Sequence, residues 1–236
     1  MRPLGRRYVV EEHPSEAVAR ELAAALRRVL RSWGAGKRGA PQLLNEKDIV
    51  ATFLDSRLHS GVVKLAGLSI ANLGFDEALR RVVNGVHNRE VLGDFDATLL
   101  FVLRKFSDRI FVGNTNVTYP TKALLLVSGL TPALDSRVRT GLGRAELKGV
   151  DKTQFFLPTE MHGADAKKLT RLPFILGQCW ADYNVQLQEG IRQSKVNALL
   201  QEPGRIFDIL FFMQAKEGQL PLLSLDPGRD SWYELA

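Results

Sequence analysis

The stretch from Gly113 to Leu142 reads GNTNVTYPTKALLLVSGLTPALDSRVRTGL and predicts a polar turn, a short apolar helix, a tight loop and a second helix. Lys122 is expected to open the first helix and Asp135 the second, thirteen residues later. Pro120 fits a helix N-terminus, because the amide that proline lacks has no partner there. Asp135 fits a helix cap, since its carboxylate can accept hydrogen bonds from free backbone amides. The short connection is expected to bring the ammonium and the carboxylate to one face of the fold.

Within this stretch, TKALLLV…PALDSRV resembles the lysine-to-aspartate unit of the helix-hairpin-helix DNA glycosylase superfamily. In that family a hairpin precedes a helix with a lysine, a loop, and an aspartate at the head of the next helix. The resemblance covers about residues 95–145. The chain departs from the family at the hairpin, where VGNTNV from Val112 replaces a Leu-Pro-Gly-Val-Gly type of signature. The resemblance implies a mainly α fold, a glycosylase-like helical bundle with two lobes around a cleft.

The resemblance also implies an activity, the excision of a damaged or modified base from DNA by hydrolysis of the N-glycosidic bond of a flipped-out nucleotide. Asp135 would stabilise the positive charge that develops on the sugar. Lys122 would either attack the sugar to form a Schiff base, which permits strand cleavage, or contact a phosphate. A structural cap is the alternative role for Asp135. Repair and defence against modified foreign DNA, such as phage DNA, both fit this activity.

Three residues of a predicted helix, Gln178, Trp180 and Tyr183, are candidates for a base pocket. Aromatic rings can stack on a flipped base, and an amide can read its edge. Trp180 and Tyr183 are three residues apart and therefore share one face of a helix. The alternative is that both rings belong to the hydrophobic core.

Candidate DNA contacts lie on both sides of the lysine-bearing helix. Asn114, Thr115 and Asn116 occupy the predicted hairpin turn, whose backbone amides are suited to a phosphate. Arg137 and Arg139 follow Asp135 and are placed to meet the phosphates beside the flipped nucleotide. The alternative for both arginines is an exposed helix surface without a ligand.

The charge of the chain favours an acidic partner, with nucleic acid first among the candidates. The net charge is +6 and the pI is 9.6. Residues 1–38 hold nine basic residues against four Glu, so this segment is either a phosphate-contacting surface or a solvated helix face. The basic residues are Arg2, Arg6, Arg7, Arg20, Arg27, Arg28, Arg31, Lys37 and Arg38.

Composition predicts an ordinary globular protein, with 45% hydrophobic and 25% charged residues in 236. We expect one domain over 1–236, with lobes at about 42–145 and at 1–41 plus 146–236 as an alternative division. No apolar run approaches the roughly 20 residues of a membrane span, and the N-terminus lacks a secretory signal. A monomer in the cytoplasm is therefore expected.

The chain contains one cysteine, Cys179, and four scattered histidines. A single cysteine excludes an internal disulfide, a Cys-rich zinc site and a four-Cys iron–sulfur cluster. Its helical surroundings predict a buried thiol, which fits a reducing compartment. No metal and no cofactor are expected.

Apolar spacing predicts helices along most of the chain. They are expected at about 15–33, 46–58, 75–86, 94–106, 164–187 with an interruption near Pro173, and 204–216. The loop WGAGKRGAP after Trp33 is either a linker or a basic finger for a nucleic-acid backbone. RIFVGN, from Arg109, is expected to be extended or a turn, and β character is otherwise weak.

Two functions of other classes stay open on this sequence. The first alternative is a non-catalytic nucleic-acid-binding protein that has the same scaffold and basic surface but no glycosylase activity. The second alternative is a helical protein-interaction domain that does not bind nucleic acid. The first alternative predicts salt-sensitive DNA binding that is indifferent to Asp135 and Lys122.

Overall fold

A computed structural model describes residues 1–76, 81–85, 90–113, 115–147, 163–216, 218 and 223–225. These residues are mainly helical, which confirms the mainly α class. The α-helices are α1 (Arg2–Val10), α2 (Glu16–Ser32), α3 (Glu46–Phe53), α4 (Ser56–Ala66), α5 (Phe95–Ile110), α6 (Thr118–Val127), α7 (Ser136–Arg144), α8 (Gly163–Gln193) and α9 (Pro203–Gln214). Short 3-10 helices cover Ile70–Asn72 and Asn197–Gln201. No helix in the described part of the chain has the length and apolar character needed to cross a membrane.

Several helices begin at the residues that the sequence predicts as caps. Ser15, Asn45 and Asp135 each accept a hydrogen bond from the backbone amide three residues ahead, at 3.4, 3.0 and 3.0 Å. Pro203 begins α9, where its missing amide has no helical partner. Asp94 occupies the N-cap of α5 without a side-chain cap bond. In the described residues, side-chain cap bonds therefore form at the starts of α2, α3, α4 and α7.

One predicted helix, over 75–86, is wrong in its described part, because those residues belong to a small antiparallel sheet. The strands are β1 (Leu73–Asp76), β2 (Arg81–Asn84) and β3 (Glu90–Val91), in the order β1-β2-β3, with Leu73 opposite Asn84. Helix α8 packs on β1 so closely that a Cβ on Gly177 would lie 2.0 Å from the Leu73 carbonyl oxygen. This tertiary contact overrides the helical spacing of the segment.

The prediction that RIFVGN, from Arg109, is extended or a turn is wrong for Arg109 and Ile110, because α5 continues through Ile110. The chain is extended at Phe111, and Asn114 lies outside the described residues. Phe111 forms a single antiparallel bridge with Leu43. Two backbone bonds flank the bridge, from Leu44 N to Ile110 O and from Val112 N to Gln42 O, each 2.9 Å long. The end of α5 is thereby tied to the chain that leads into α3.

Helix α6 lies at the centre of the molecule. Every residue from Tyr119 to Val127 is buried, and α6 packs against α1, α2 and α5. The buried hydrophobic cluster extends from Tyr8 to Leu225 and includes members of both predicted lobes. The close-packed helices around α6 thus hold the side chains at its polar end in position.

Helix α8 differs in detail from its prediction. It continues through Pro173, and the backbone leaves helical geometry at Tyr183 instead (φ −117°, ψ 16°). Cys179 on this helix is buried, as predicted, and burial raises the pKa of its thiol to about 12.

Candidate active site

The connection between α6 and α7 is fixed by two threonines on one face of α6. Gly129, with φ +75°, ends α6 and turns the chain back. The Thr121 hydroxyl accepts the Leu134 N–H at 2.9 Å, and the Thr118 hydroxyl donates to the Leu134 carbonyl at 3.1 Å. Because Leu134 is held on both sides, the next residue, Asp135, has a defined position over α6.

The two arginines of α7 have different surroundings. Arg139 is buried, and its Nη1 donates to the Leu134 carbonyl at 3.0 Å and to the Thr118 hydroxyl at 3.4 Å. Its guanidinium therefore ties the loop internally and is not at the surface where a phosphate would meet it. Arg137 is exposed, and its guanidinium carbon lies 4.9 Å from the centre of the Phe212 ring. Of the pair, Arg137 is the accessible cation.

Helix α9 closes over this connection through two close backbone contacts. A Cβ on Gly141 of α7 would lie 1.9 Å from the Phe211 carbonyl oxygen. A Cβ on Gly204 of α9 would lie 2.2 Å from the Gly129 carbonyl oxygen. Any side chain at either glycine would push the helices apart. The glycines therefore permit α9 to form the third side of the site.

Asp208 on α9 is a buried carboxylate that the sequence analysis did not identify. One oxygen accepts the Ala133 N–H at 2.9 Å, and the other pairs with the Arg205 guanidinium. Burial raises the pKa of Asp208, and the Arg205 charge opposes that shift. Its signal in the sequence is a lone acid inside the apolar run GRIFDILFFMQAK.

Lys122 lies at the meeting point of these elements. Helix α6 begins at Thr118, so Lys122 lies in its second turn, and the prediction that it opens the helix is wrong by about one turn. Its Nζ is 3.8 Å from Asp135 Oδ2 and 3.5 Å from the Trp33 carbonyl oxygen. The Tyr119 and Trp33 ring centres are 5.0 and 5.8 Å from Nζ. The structure thus brings together the two side chains that the sequence singled out.

The environment of Lys122 favours its neutral amine. Burial lowers the pKa of Lys122, while the carboxylates of Asp135 and Asp208 oppose the shift. A neutral amine is nucleophilic, and an ammonium is not. At a given pH a larger fraction of the Lys122 amine is therefore neutral than for an exposed lysine.

These residues open into a pocket of about 390 Å³ between α2, α6, α7 and α9. Trp33 and Phe212 supply aromatic walls, and the Arg205 guanidinium carbon lies 5.5 Å from the Trp33 ring centre. The lining residues are Trp33, Lys122, Ala133, Asp135, Arg205, Asp208, Ile209 and Phe212. Across the described ranges, no three His, Cys, Asp or Glu side chains are grouped to hold a metal ion.

The predicted base-pocket residues on α8 do not line this pocket. Trp180 is 8% exposed and packs on Phe207, with ring centres 6.3 Å apart. Gln178 donates to Asp182 at 3.1 Å on the same helix, and Tyr183 is half-buried against the core. The alternative interpretation, core packing, describes Trp180 in this fold. An aromatic pair on one helix face does not indicate which neighbour that face meets.

The predicted hairpin turn offers little side-chain surface. Asn114 lies outside the described residues. Thr115 is buried, and its hydroxyl donates to the Asn116 carbonyl at 3.3 Å. The exposed Asn116 accepts the Thr118 N–H at 3.0 Å, so its side chain serves the start of α6.

The basic N-terminal segment divides into paired and unpaired residues. The arginines paired with glutamates are Arg2 and Arg6 with Glu202, Arg7 with Glu21, Arg20 with Glu16, and Arg27 with Glu46. Arg28, Arg31, Lys37 and Arg38 form no ion pair with a described carboxylate. Lys37 and Arg38 are exposed in the loop after Trp33, and Trp33 itself lines the pocket. This loop is the part of the segment suited to a phosphate backbone.

Comparison of the chain with protein-family models, curated proteins and solved structures gives no significant match. The likeness to the glycosylases therefore rests on the residues around Lys122 and Asp135.

Proposed function

We propose that this protein is a DNA glycosylase that removes a damaged or modified base, with Lys122 as nucleophile and Asp135 as the carboxylate beside the sugar. The observation that carries the proposal is the 3.8 Å approach of Lys122 Nζ to Asp135 Oδ2 inside a pocket with aromatic walls. The resemblance of the α6–α7 segment to helix-hairpin-helix glycosylases supports the same roles.

Burial favours the nucleophilic role of Lys122 over a phosphate contact. Its side chain is 10% exposed and lines the pocket, whereas phosphates of a bound strand stay at the surface. Burial also lowers the pKa of Lys122, which increases the neutral, nucleophilic fraction of the amine at a given pH.

The covalent step follows from this placement. Nζ forms a bond to C1′ as the C1′–N glycosidic bond breaks, and the electron pair leaves with the base, which takes up a proton. The nitrogen loses a proton, and its lone pair then opens the sugar ring as O4′ leaves C1′ and is protonated. The product is a Schiff base between Lys122 and the sugar. The Asp135 carboxylate stabilises the positive charge on the sugar during the first step.

The walls of the pocket suit a flipped nucleobase. Trp33 and Phe212 present aromatic surface for stacking, and Asp208 with Arg205 presents hydrogen-bonding groups for the edge of a base. Exposed cations outside the pocket, among them Arg137 and Lys37, suit the strand on either side.

The test is incubation with a panel of DNAs that carry natural and modified bases, followed by hot alkali or by borohydride in parallel. Alkali-labile breaks at one modified base, with a covalent adduct that Lys122→Ala abolishes, are the expected result. Breaks without an adduct would reassign Lys122 and leave Asp135 as the principal group. Absence of breaks across the panel, with DNA still bound, would favour the non-catalytic binding protein.

A further inference from the structure

A second cleft opens beside the pocket, at the end of α9. Its volume is about 520 Å³, and its lining residues are Arg137, Phe212, Met213, Ala215 and Lys216. Phe212 lines both the pocket and the cleft, so one ring separates the two spaces.

The cleft exposes apolar surface where the rest of α9 is mostly covered. Phe212 is 44% exposed and Met213 is 49% exposed, while their neighbours Phe211 and Gln214 are buried. Adjacent exposed aromatic and thioether side chains are suited to the face of a planar ring.

The charged residues of the cleft are both cations. Arg137 lies over the Phe212 ring, and Lys216 is the other cation of the lining. Neither forms an ion pair with a carboxylate in the described part of the chain. Apolar surface flanked by unpaired cations is complementary to a base that is attached to its phosphates.

We propose that this cleft holds the base next to the flipped nucleotide, stacked on Phe212 and Met213, with Arg137 and Lys216 at its phosphates. The inference rests on the proposed function, because it takes DNA as the partner. It adds a second nucleotide site, so the protein would unstack two successive bases. Strands that already lack stacking at this step would then bind more tightly than perfect duplex.

The test measures the affinity for duplex DNA that carries a tetrahydrofuran abasic analogue. This probe has no base to enter the pocket, so pocket stacking does not contribute to binding. Phe212→Ala is expected to weaken binding by about 5- to 150-fold, the range of one lost base stack. Met213→Ala is expected to weaken it by about 2- to 10-fold. Phe212→Trp should retain the affinity, because it keeps an aromatic face.

Val185→Ala is the matched control, since Val185 is a 72% exposed apolar residue on α8, away from the cleft. It should bind as the wild type does, and thermal unfolding should show that every variant is folded. Arg137→Gln and Lys216→Gln should each reduce the slope of log affinity against log salt by about one.

Wild-type affinity in both Phe212→Ala and Met213→Ala would overturn the second site. So would a concentration-dependent dimer that Phe212→Ala abolishes, because the cleft would then be an interface between two copies. Base excision is scored separately on the modified-base panel. If the wild type excises a base and the cleft variants bind DNA normally, only the second nucleotide site is rejected. If the cleft variants bind DNA more weakly and no excision is found, only the glycosylase activity is rejected.

Discussion

Two lysine–aspartate pairs in this protein have the same construction. Asp55 caps α4 and Asp135 caps α7, and each accepts backbone amides of its own helix. Lys105 reaches Asp55 from α5 at 3.3 Å, and Lys122 reaches Asp135 from α6 at 3.8 Å. Each lysine also lies within 6 Å of an aromatic ring centre, at 5.7 Å for Lys105 and 5.0 Å for Lys122.

The pairs differ in what covers them. The Lys105 side chain is 29% exposed and that of Lys122 is 10% exposed, although the Lys105 pair is the shorter. The cap bond from Leu58 is the largest single cause of the low pKa of Asp55, and the hydrogen bond and the charge of Lys105 lower it further. At Lys122, α9 adds a third wall with a second carboxylate, and burial lowers the pKa of the lysine. Enclosure by α9, rather than the ion pair itself, distinguishes the proposed active site from the Lys105 pair.

Replacement of each lysine by alanine should give the largest difference in excision activity between the two pairs. Lys122→Ala should abolish the borohydride-trapped adduct and reduce excision at least about a thousandfold, because no other amine lines the pocket among the described residues. Lys105→Ala should keep full activity. Single-turnover excision and gel analysis of the adduct measure both, and an adduct in Lys122→Ala would end the nucleophile assignment.

Replacement of the two aspartates by asparagine should give a smaller contrast in rate. Asparagine caps helices about as well as aspartate, so both variants should stay folded. Asp135→Asn removes the charge beside the sugar and should slow excision by about 100- to 1,000-fold. Asp55→Asn loses only a partly exposed ion pair, of at most about 1 kcal/mol, and should excise normally. Full activity in Asp135→Asn would leave it a structural cap.

The role of α9 as the third wall is tested at a glycine. Gly141→Ala places a Cβ 1.9 Å from the Phe211 carbonyl, so α9 must shift, and the free energy of unfolding should fall by about 1–3 kcal/mol. Gly190→Ala on α8 meets nothing within 4 Å and should be neutral or stabilising by up to about 1 kcal/mol. Urea denaturation measures both. Equal stability of the two variants would mean that α9 does not press on α7.

Neutralising the second carboxylate should give the smallest effect, a displacement of the pH profile. The Asp208 charge raises the pKa of Lys122, so Asp208→Asn should lower that pKa further and increase the fraction of neutral amine. The acidic limb of the excision rate should therefore move to lower pH, by about one unit or less. Asp182→Asn on α8 serves as the control. Movement to higher pH would contradict the coupling.

Local chemistry explains what the sequence predicted well. Caps such as Ser15 and Asn45 act within a few residues, and the Lys122–Asp135 unit spans one helix and one loop. Patterns of this length are legible in a single chain, because the partners are neighbours in sequence.

Long-range packing explains what the sequence did not predict. Trp33 and Asp208 reach Lys122 from α2 and α9, far away along the chain, and no spacing rule links them. Trp180 has an aromatic pattern that would suit a pocket, yet its face meets Phe207 in the core. The segment 75–86 has helical spacing, but its described part pairs into a sheet whose first strand, β1, packs on α8 where Leu73 meets Gly177.

Because the thiol of Cys179 is buried, the native chain should react little with thiol-labelling reagents. Maleimides and iodoacetamides react with thiolates, and a buried thiol with a pKa of about 12 presents almost none near neutral pH. Cys179 is also the only cysteine in the sequence. A cysteine introduced on the exposed end of α9 would therefore carry a dye selectively, without removal of any native residue first. Strand docking beside the pocket would then be followed in real time by the fluorescence of one reporter.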